Sequence, residues 1–543
     1  MGNILLWEFC VFSELSFQLL SYHSNIGRNT HTHTQFFYSL SHCVLESTLK
    51  PLIILTEGHQ IQTPVGGEAS GCTQSWHLRS ISQSFLQSQL SNNMRGSQSY
   101  FPARTVLFRK EASGVTYRVP ALIYLPSSSS FLVFCEERLS PADAQANLLV
   151  MRKGKFYRNY VEWNDMRVLA TAHLQGHRSM NPCPVYDEFT GTLFLFFIAV
   201  LGHTSEAYQL VTGKNVTRLC YVSSNDHGDT WSPVTDLTKR VIGDTIKEWA
   251  TFALGPGHGI QLKSGRLLVP AYAYHIDCKE CLGRVCLTTP HSFCFHSDTH
   301  GLVWRFGEAV PGPESVECQM VSVDEEDGSN ILYCNARSPL GCRVQSLSLD
   351  DGAVFQDGQL VQKLVEPRNG CHGSIIGFPA PLQLLQEARD TRLRHWTSLL
   401  TSSSPSASVS NHEQNFLTPT WVVYSHPTWP NARRDLGVFL SLFPRDPDSW
   451  SGPWVIYEGP SAYSDLAYLE LPSPGVPPVT AFACLFENGT RTAYDEISFS
   501  IFTLYELIDN LPPNKCQLTE PSSKLQKTSK RKRWKSCSLC CVS

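Results

Sequence analysis

Across 543 residues the chain carries 44 Lys and Arg against 48 Asp and Glu, a formal net charge of -4. A polyanion binder advertises a basic domain, so this balance gives no ground for a nucleic-acid partner. The length fits one large single-core domain with appendages, or a few ordinary domains.

Taken in chain order, residues 1–100 sustain neither a helical nor a strand period. The opening LLWEFCVFSELSFQLL is apolar but holds Glu8 and Glu14 and lacks a basic flank, which a signal peptide requires. His/Thr and Ser/Gln runs follow, so a poorly ordered and dispensable N-terminal extension is expected, with Met94 as a second start. No later stretch is long and apolar enough to span a bilayer. The chain reads as made in the cytosol, with the sequon at Asn215 unglycosylated. The 19 cysteines, several in strand-like runs such as those of Cys220 and Cys484, read as reduced core thiols.

From Thr105 the texture changes to short apolar or alternating runs bounded by turn residues: VLFRK, YRVPALIYL, FLVFCEER, LFLFFIAV, RLCYVSS, RLLVPAYAY, ILYCNARS, WVVYSHP, FACLFE. This is the texture of an all-β protein. Helical periodicity is brief, near TDLTKRVIGDTIKEWA and PLQLLQEARDTRLRHW.

SNDHGDTW, Ser224 to Trp231, matches the Asp-box pattern S-x-D-x-G-x-T-W, in which Ser and Asp brace a turn, Gly supplies its dihedrals and Trp packs between strands. SDTHGLVW, Ser297 to Trp304, and SLDDGAVF, Ser348 to Phe355, are poorer copies. Repetition at this spacing predicts a β-propeller. The Ser-rich segment near 389–417 is expected as an insertion in a domain spanning 101–510, and 511–543 as a basic, Cys-rich tail. The run CKECLGRVC from Cys278, with His291 and Cys294 after it, holds a single C-x-x-C and reads as free thiols with no metal.

The segments YRVPAL, FCEERLSPAD, GHRSMNPCPV, WATFALGPGHGIQL, RLLVPAYAY, VECQ, NARS, LVEPRNGCHGS, HPT, RRDLG, AYSDL and CLFE together give the chain a specific likeness. Over about residues 101–505 it resembles the Asp-box sialidases of the six-bladed propeller fold, within them the vertebrate cytosolic and plasma-membrane ganglioside sialidases. The resemblance implies an exo-alpha-sialidase, a glycoside hydrolase acting on terminal sialic acid of glycolipids and oligosaccharides without a cofactor.

Sialic acid carries a carboxylate on its anomeric carbon, which repels an anionic nucleophile; a phenol escapes that repulsion but needs a base. The resemblance places the nucleophile at Tyr463, its base at Glu317 and the acid/base at Asp143. It places the carboxylate-binding arginines at Arg118, Arg337 and Arg433, with Arg434 the adjacent alternative, Arg138 beside Asp143, and Glu487 as the support of Arg118. Guanidinium suits a carboxylate because its paired donors stay charged at all relevant pH. Met180, Asn181, Glu206, Tyr272 and Tyr274 match substrate-lining positions, and period two puts both tyrosines on one strand face. His372 stands where the family has Gln, on the expected substrate side, and His titrates near neutrality where Gln does not. Taken singly, each residue has a plainer reading: a strand tyrosine, a surface arginine, a solvated loop carboxylate. A sialic acid-binding lectin is the alternative, and such a protein would be expected to lose Tyr463, Glu317 or Asp143.

The terminal Cys540-Cys541-Val542-Ser543 fits C-a-a-X, with Cys537 upstream as a palmitate candidate. Lys524, Lys527, Lys530, Arg531, Lys532, Arg533 and Lys535 precede it, and each adds roughly 1 kcal/mol of attraction to an anionic leaflet. A peripheral membrane protein of the plasma or endosomal membrane is expected. A solvated basic tail or an import-like run is the other reading.

Overall fold

The computed structural model describes residues 104–157, 160–281, 285–325, 327–381, 418–472 and 478–512. The extension over 1–100, the insertion near 389–417, and Cys537 and Cys540 in the tail lie outside the described residues. The fold is all-β, as the short turn-bounded runs predict. Among the described residues the strands form five sheets, one of seven strands and the others of four or five.

Each of the smaller sheets begins or ends on a strand that packs near the middle of the molecule: Thr116–Leu125, His177–Asp187, Trp249–Leu254 and Cys318–Asp324. Neighbouring sheets meet through these strands, giving a propeller-like arrangement. Trp249–Leu254 is buried at every residue, which is why such segments read as continuous apolar runs. In the seven-stranded sheet the long strand Ser451–Leu471 pairs with Arg434–Ser441 through its first part and with Val479–Asn488 through its second. The early strand Thr105–Arg109 pairs antiparallel with Glu496–Thr503, so the first and last strands among the described residues share one sheet.

The three Asp-box segments adopt one geometry. Ser224 Oγ accepts from Gly228 N at 2.9 Å while Asp226 accepts from Thr230 N at 2.8 Å. Ser348 and Asp350 repeat this with Gly352 N at 2.9 Å and Val354 N at 3.0 Å. In the middle copy Thr299 Oγ1 takes the place of the carboxylate, accepting from Val303 N at 2.8 Å. The residue pairs His227/Gly228, His300/Gly301 and Asp351/Gly352 all have positive φ, and the glycine carries the turn without a Cβ penalty. Trp304 and Phe355 are buried, and Trp231 packs edge-on against Phe134 at 5.9 Å.

At the centre, Asp465 is fully buried. Its carboxylate accepts from Leu122 N at 2.7 Å, His258 Nδ1 at 2.7 Å, Gln319 Nε2 at 2.9 Å and Ser374 Oγ at 2.9 Å. One carboxylate therefore ties three strands and the loop of His258 to its own strand, and bonds to a charged acceptor are the strong ones.

The segment expected to be briefly helical after Thr235 forms two short irregular turns, Thr238–Ile242 and Gly243–Glu248. The second expected stretch, PLQLLQEARDTRLRHW, lies outside the described residues apart from Pro381. Two short α-helices occur among the described residues, Glu206–Thr212, capped by Ser205, and Leu504–Asn510, closed by a Thr503/Glu506 capping box.

The expectation of reduced thiols throughout needs one correction: Cys278 is disulfide-bonded. It lies toward the end of the strand Leu267–Cys281, in a run where cysteines fall within a few residues of one another. The core-strand cysteines, such as Cys135, Cys220 and Cys484, are free and buried. No cluster of His, Cys, Asp and Glu fit to hold a metal occurs among the described residues.

Candidate active site

Three inner strands carry bulges, and each bulge presents a site residue. The register shifts between Arg118 and Ala121, between Met180 and Cys183, and between Ser461 and Ser464, a stretch that contains Tyr463. Bulges bend a strand and re-aim its side chains. Val119 has φ 59° and Asn181 φ 53°. A left-handed conformation at a β-branched residue costs about 1–3 kcal/mol and persists only where its surroundings impose it.

Two buried glutamates do the imposing. Glu487 accepts from Val119 N at 2.8 Å and Tyr463 N at 3.1 Å, and Glu136 accepts from Asn181 N at 2.7 Å. Both are fully buried. Glu487 also accepts from Arg118 Nε at 3.0 Å, so one carboxylate sets the backbone at Tyr463 and the guanidinium of Arg118.

The hydroxyl of Tyr463 donates to Glu317. Arg337 Nη1 donates to Glu317 Oε2 at 2.8 Å and to the Tyr463 oxygen at 3.2 Å, so a single cation spans the pair. Burial raises the Tyr463 phenol well above its ordinary range, and the Glu317 charge adds to this. Burial alone would raise Glu317 too, but Arg337, His372 and the tyrosine hydroxyl outweigh it and hold the carboxyl below its ordinary value. The proton accordingly rests on Tyr463, with an ionised acceptor in direct contact. Gly370 makes room for Arg337: it has φ +67°, and a Cβ there would stand 2.5 Å from Arg337 Nε.

Arg118 and Arg433 flank the same phenol, their guanidinium carbons 5.5 and 5.2 Å from its ring centre. Arg433 donates to Gly370 O from Nε at 3.2 Å and from Nη2 at 3.0 Å. Its neighbour Arg434 is exposed and lies over Trp429. Arg434 opens the strand Arg434–Ser441, whereas Arg433 precedes it and faces the phenol.

Asp143 sits in a short turn after the strand Ser130–Arg138, its side chain 66% exposed, and Arg138 donates to it. Burial of the surroundings would raise this carboxyl, but Arg138 and Arg118 outweigh that and keep it below the ordinary range. A second loop leans on the first: His203 Nδ1 is 2.9 Å from Ala144 O. Arg178 holds this second loop through Gly202 O and Thr204 O, each at 2.7 Å, immediately before Glu206 opens its helix. Tyr272 and Tyr274 pack ring to ring at 6.1 Å. Burial, and after it the Glu206 charge, raises both phenols. Met180 and Asn181 are nine-tenths buried on their bulge.

His372 is corrected by its position. It is fully buried, with its ring 5.3 Å from that of Tyr463 and near Gln319, so it backs the phenol and presents no face to a ligand. Burial pushes its pKa down to about 4, and the imidazole is neutral near pH 7.

Sequence reasoning missed Glu136, Arg178, His203 and Asp465. A signal for the first existed: Pro120 and Pro182 interrupt apolar strands, and a proline inside a strand marks a bulge whose free backbone groups need partners.

A family model described as a BNR repeat-like domain matches residues 131–471. The chain is 49% identical to Sialidase-4 of Mus musculus over 76% of this chain and 95% of that protein. It is 43% identical to Sialidase-3 of Homo sapiens over 75% of this chain and 93% of that one. Sialidase-2 of Mus musculus is 46% identical, with 74% of this chain and 95% of that protein covered. Among solved structures, Hadza microbial sialidase Hz136 superposes with a TM-score of 0.56 at 21% identity, over 74% of this chain and 69% of that one. That likeness speaks to the fold alone.

Proposed function

We propose, for a chain that belongs to the vertebrate sialidase family and is an exo-alpha-sialidase of the glycoside hydrolases, a retaining double displacement with Tyr463 as its nucleophile. The observation that supports this most is the Tyr463 hydroxyl in contact with Glu317 while Arg337 bridges both.

In the first half of the reaction Glu317 takes the phenol proton as the Tyr463 oxygen bonds to the anomeric carbon. Asp143 gives its proton to the departing glycosidic oxygen. In the second half Asp143, now a carboxylate, takes a proton from water; the water oxygen replaces Tyr463, and Glu317 returns the phenol proton. Arg118, Arg337 and Arg433 hold the substrate carboxylate.

The same carboxylate answers a difficulty in the charge balance. Asp143 is held ionised by Arg138 and Arg118, which suits a base better than an acid. A ligand carboxylate placed on Arg118 adds negative charge beside Asp143 and raises its pKa toward the acid role. By the same logic, drawing Arg337 toward the ligand makes Glu317 more basic.

Six blades are the count we favour, reading the seven-stranded sheet as two four-stranded blades that share the long strand Ser451–Leu471. Membrane association through the basic tail and lipidated Cys540 or Cys537, at the plasma or endosomal membrane, is proposed on the tail sequence. With it goes a preference for gangliosides among sialylated glycoconjugates.

Hydrolysis of a fluorogenic sialoside by Tyr463→Phe tests the mechanism: turnover should fall to below about a thousandth while a sialic acid analogue still binds. Undiminished turnover would remove Tyr463 as nucleophile. Ganglioside preference is read from kcat/KM on ganglioside against sialyllactose, and Cys540→Ser should shift the protein to the soluble fraction.

A further inference from the structure

Away from Tyr463 a cleft of about 380 Å³ lies beside the start of the strand Trp249–Leu254, lined by Trp249, His275, Phe293, His296 and Phe306, with Glu248 and Glu308 also on its wall. The Trp249 ring stands 5.3 Å from that of Phe293 and 5.6 Å from that of Phe306, forming an aromatic surface. Trp249 is 2% exposed and His296 9%. Yet Trp249 Nε1, His275 Nε2 and His296 Nδ1 are buried atoms without a hydrogen-bond partner. Buried polar atoms are nearly always bonded, and each orphan costs about 1–3 kcal/mol. Three such atoms on residues lining one cleft point to a ligand that supplies what the fold does not.

The chemistry of these groups narrows the ligand. An indole N–H only donates, whereas a neutral imidazole nitrogen donates or accepts. Burial lowers the pKa of both histidines, so both are neutral near pH 7. Glu248 and Glu308 are exposed carboxylates, which disfavour an anion such as sialic acid here. An organic cation would satisfy the glutamates and the aromatic rings but has no acceptor for Trp249. A neutral polyhydroxylated ring has hydroxyls for the indole, the imidazoles and the carboxylates, and a C–H face for the aromatic wall.

We propose that this cleft is a second, non-catalytic site that binds neutral sugar rings of the hexose type. Its volume falls in the lower part of the roughly 300–1,000 Å³ range of small-molecule sites, enough for a short glycan segment. His275 directly follows Tyr274 on the strand Leu267–Cys281. Alternation along that strand puts the tyrosine wall of the catalytic site on one face and the cleft histidine on the other.

The test titrates the full chain with methyl β-galactoside and with lactose, followed by saturation-transfer NMR, using the wild type, Trp249→Phe and Glu308→Gln. The expected result is saturable binding of at least one sugar, weakened about tenfold by loss of the indole donor, with turnover of a soluble sialoside unchanged. Tighter binding of lactose would assign the cleft to a glycan chain, and equal binding to single rings. Glu308 is exposed, so its variant keeps the test decisive if Trp249→Phe melts early. No saturable binding of either sugar, a dissociation constant indifferent to both substitutions, or binding of tetramethylammonium in place of sugar would overturn the proposal.

Discussion

Glu136 and Asn181 are 45 residues apart in sequence, yet a carboxylate oxygen of Glu136 holds the Asn181 backbone N–H at 2.7 Å. The other oxygen accepts from Arg138 Nε at 2.7 Å. One buried side chain thus sets a bulge on one strand and, on its own, the arginine that holds Asp143.

Replacing Glu136 with Gln keeps an acceptor for Asn181 but removes the buried carboxylate from the Arg138 guanidinium, which is 1% exposed and keeps Asp143 as its remaining anion. Breaking a buried pair by removing one partner costs about 3–5 kcal/mol. A urea denaturation midpoint should fall accordingly.

Arg433 and Arg434 should separate cleanly by alanine substitution. Loss of Arg433, which flanks the Tyr463 ring at 5.2 Å, should lower kcat/KM by about 10- to 100-fold, the worth of a charge-assisted bond. Loss of the exposed Arg434 should stay within about 0.5 kcal/mol. Steady-state kinetics on a soluble sialoside decides, and the reverse pattern would exchange the assignments.

His203 positions the Asp143 loop through its 2.9 Å contact with Ala144 O. His203→Ala should lower kcat about 2- to 10-fold, the range for one neutral hydrogen bond, with KM little changed. His203→Gln, which keeps a donor, should recover part of the loss. A loss confined to thermal stability would reduce His203 to a structural contact.

Acid stability follows from Glu366. Burial alone would raise its carboxyl, but Arg343 and His426 outweigh it and hold the pKa to about 2, against an ordinary 4.5. A depressed acid contributes stability present above its unfolded pKa and lost as pH falls through the folded one. The window therefore runs from about pH 4.5 down to about 2, with roughly 3 kcal/mol at stake. Glu366→Gln should flatten that part of the stability profile in pH-dependent urea unfolding.

The all-β texture, the Asp-box turns and the tyrosine pair were legible because each rests on a local period: two for strands, a fixed offset for the turn. Arg433 was separated from Arg434 by the family resemblance and not by any local period. Arg178 and Asp465 were not legible, and for Glu136 only the bulge it serves was signalled, by Pro182, because their partners are set by how distant strands converge, which no spacing within a segment encodes. His372 shows the limit from the other side. The resemblance placed it on the substrate side, but only packing reveals that it is buried against the Tyr463 ring, too deep to touch a ligand. The disulfide at Cys278 likewise is not contained in a count of cysteines.

Pairing Thr105–Arg109 with Glu496–Thr503 has a consequence for biogenesis. A ribosome releases the earlier strand hundreds of residues before its partner exists, so its hydrogen-bonding edge stays unmatched through most of synthesis. Contacts of such long sequence separation form late and slowly. The nascent chain therefore stays vulnerable to edge-to-edge aggregation until Glu496–Thr503 has emerged, and demand for chaperones should be greatest just before that point.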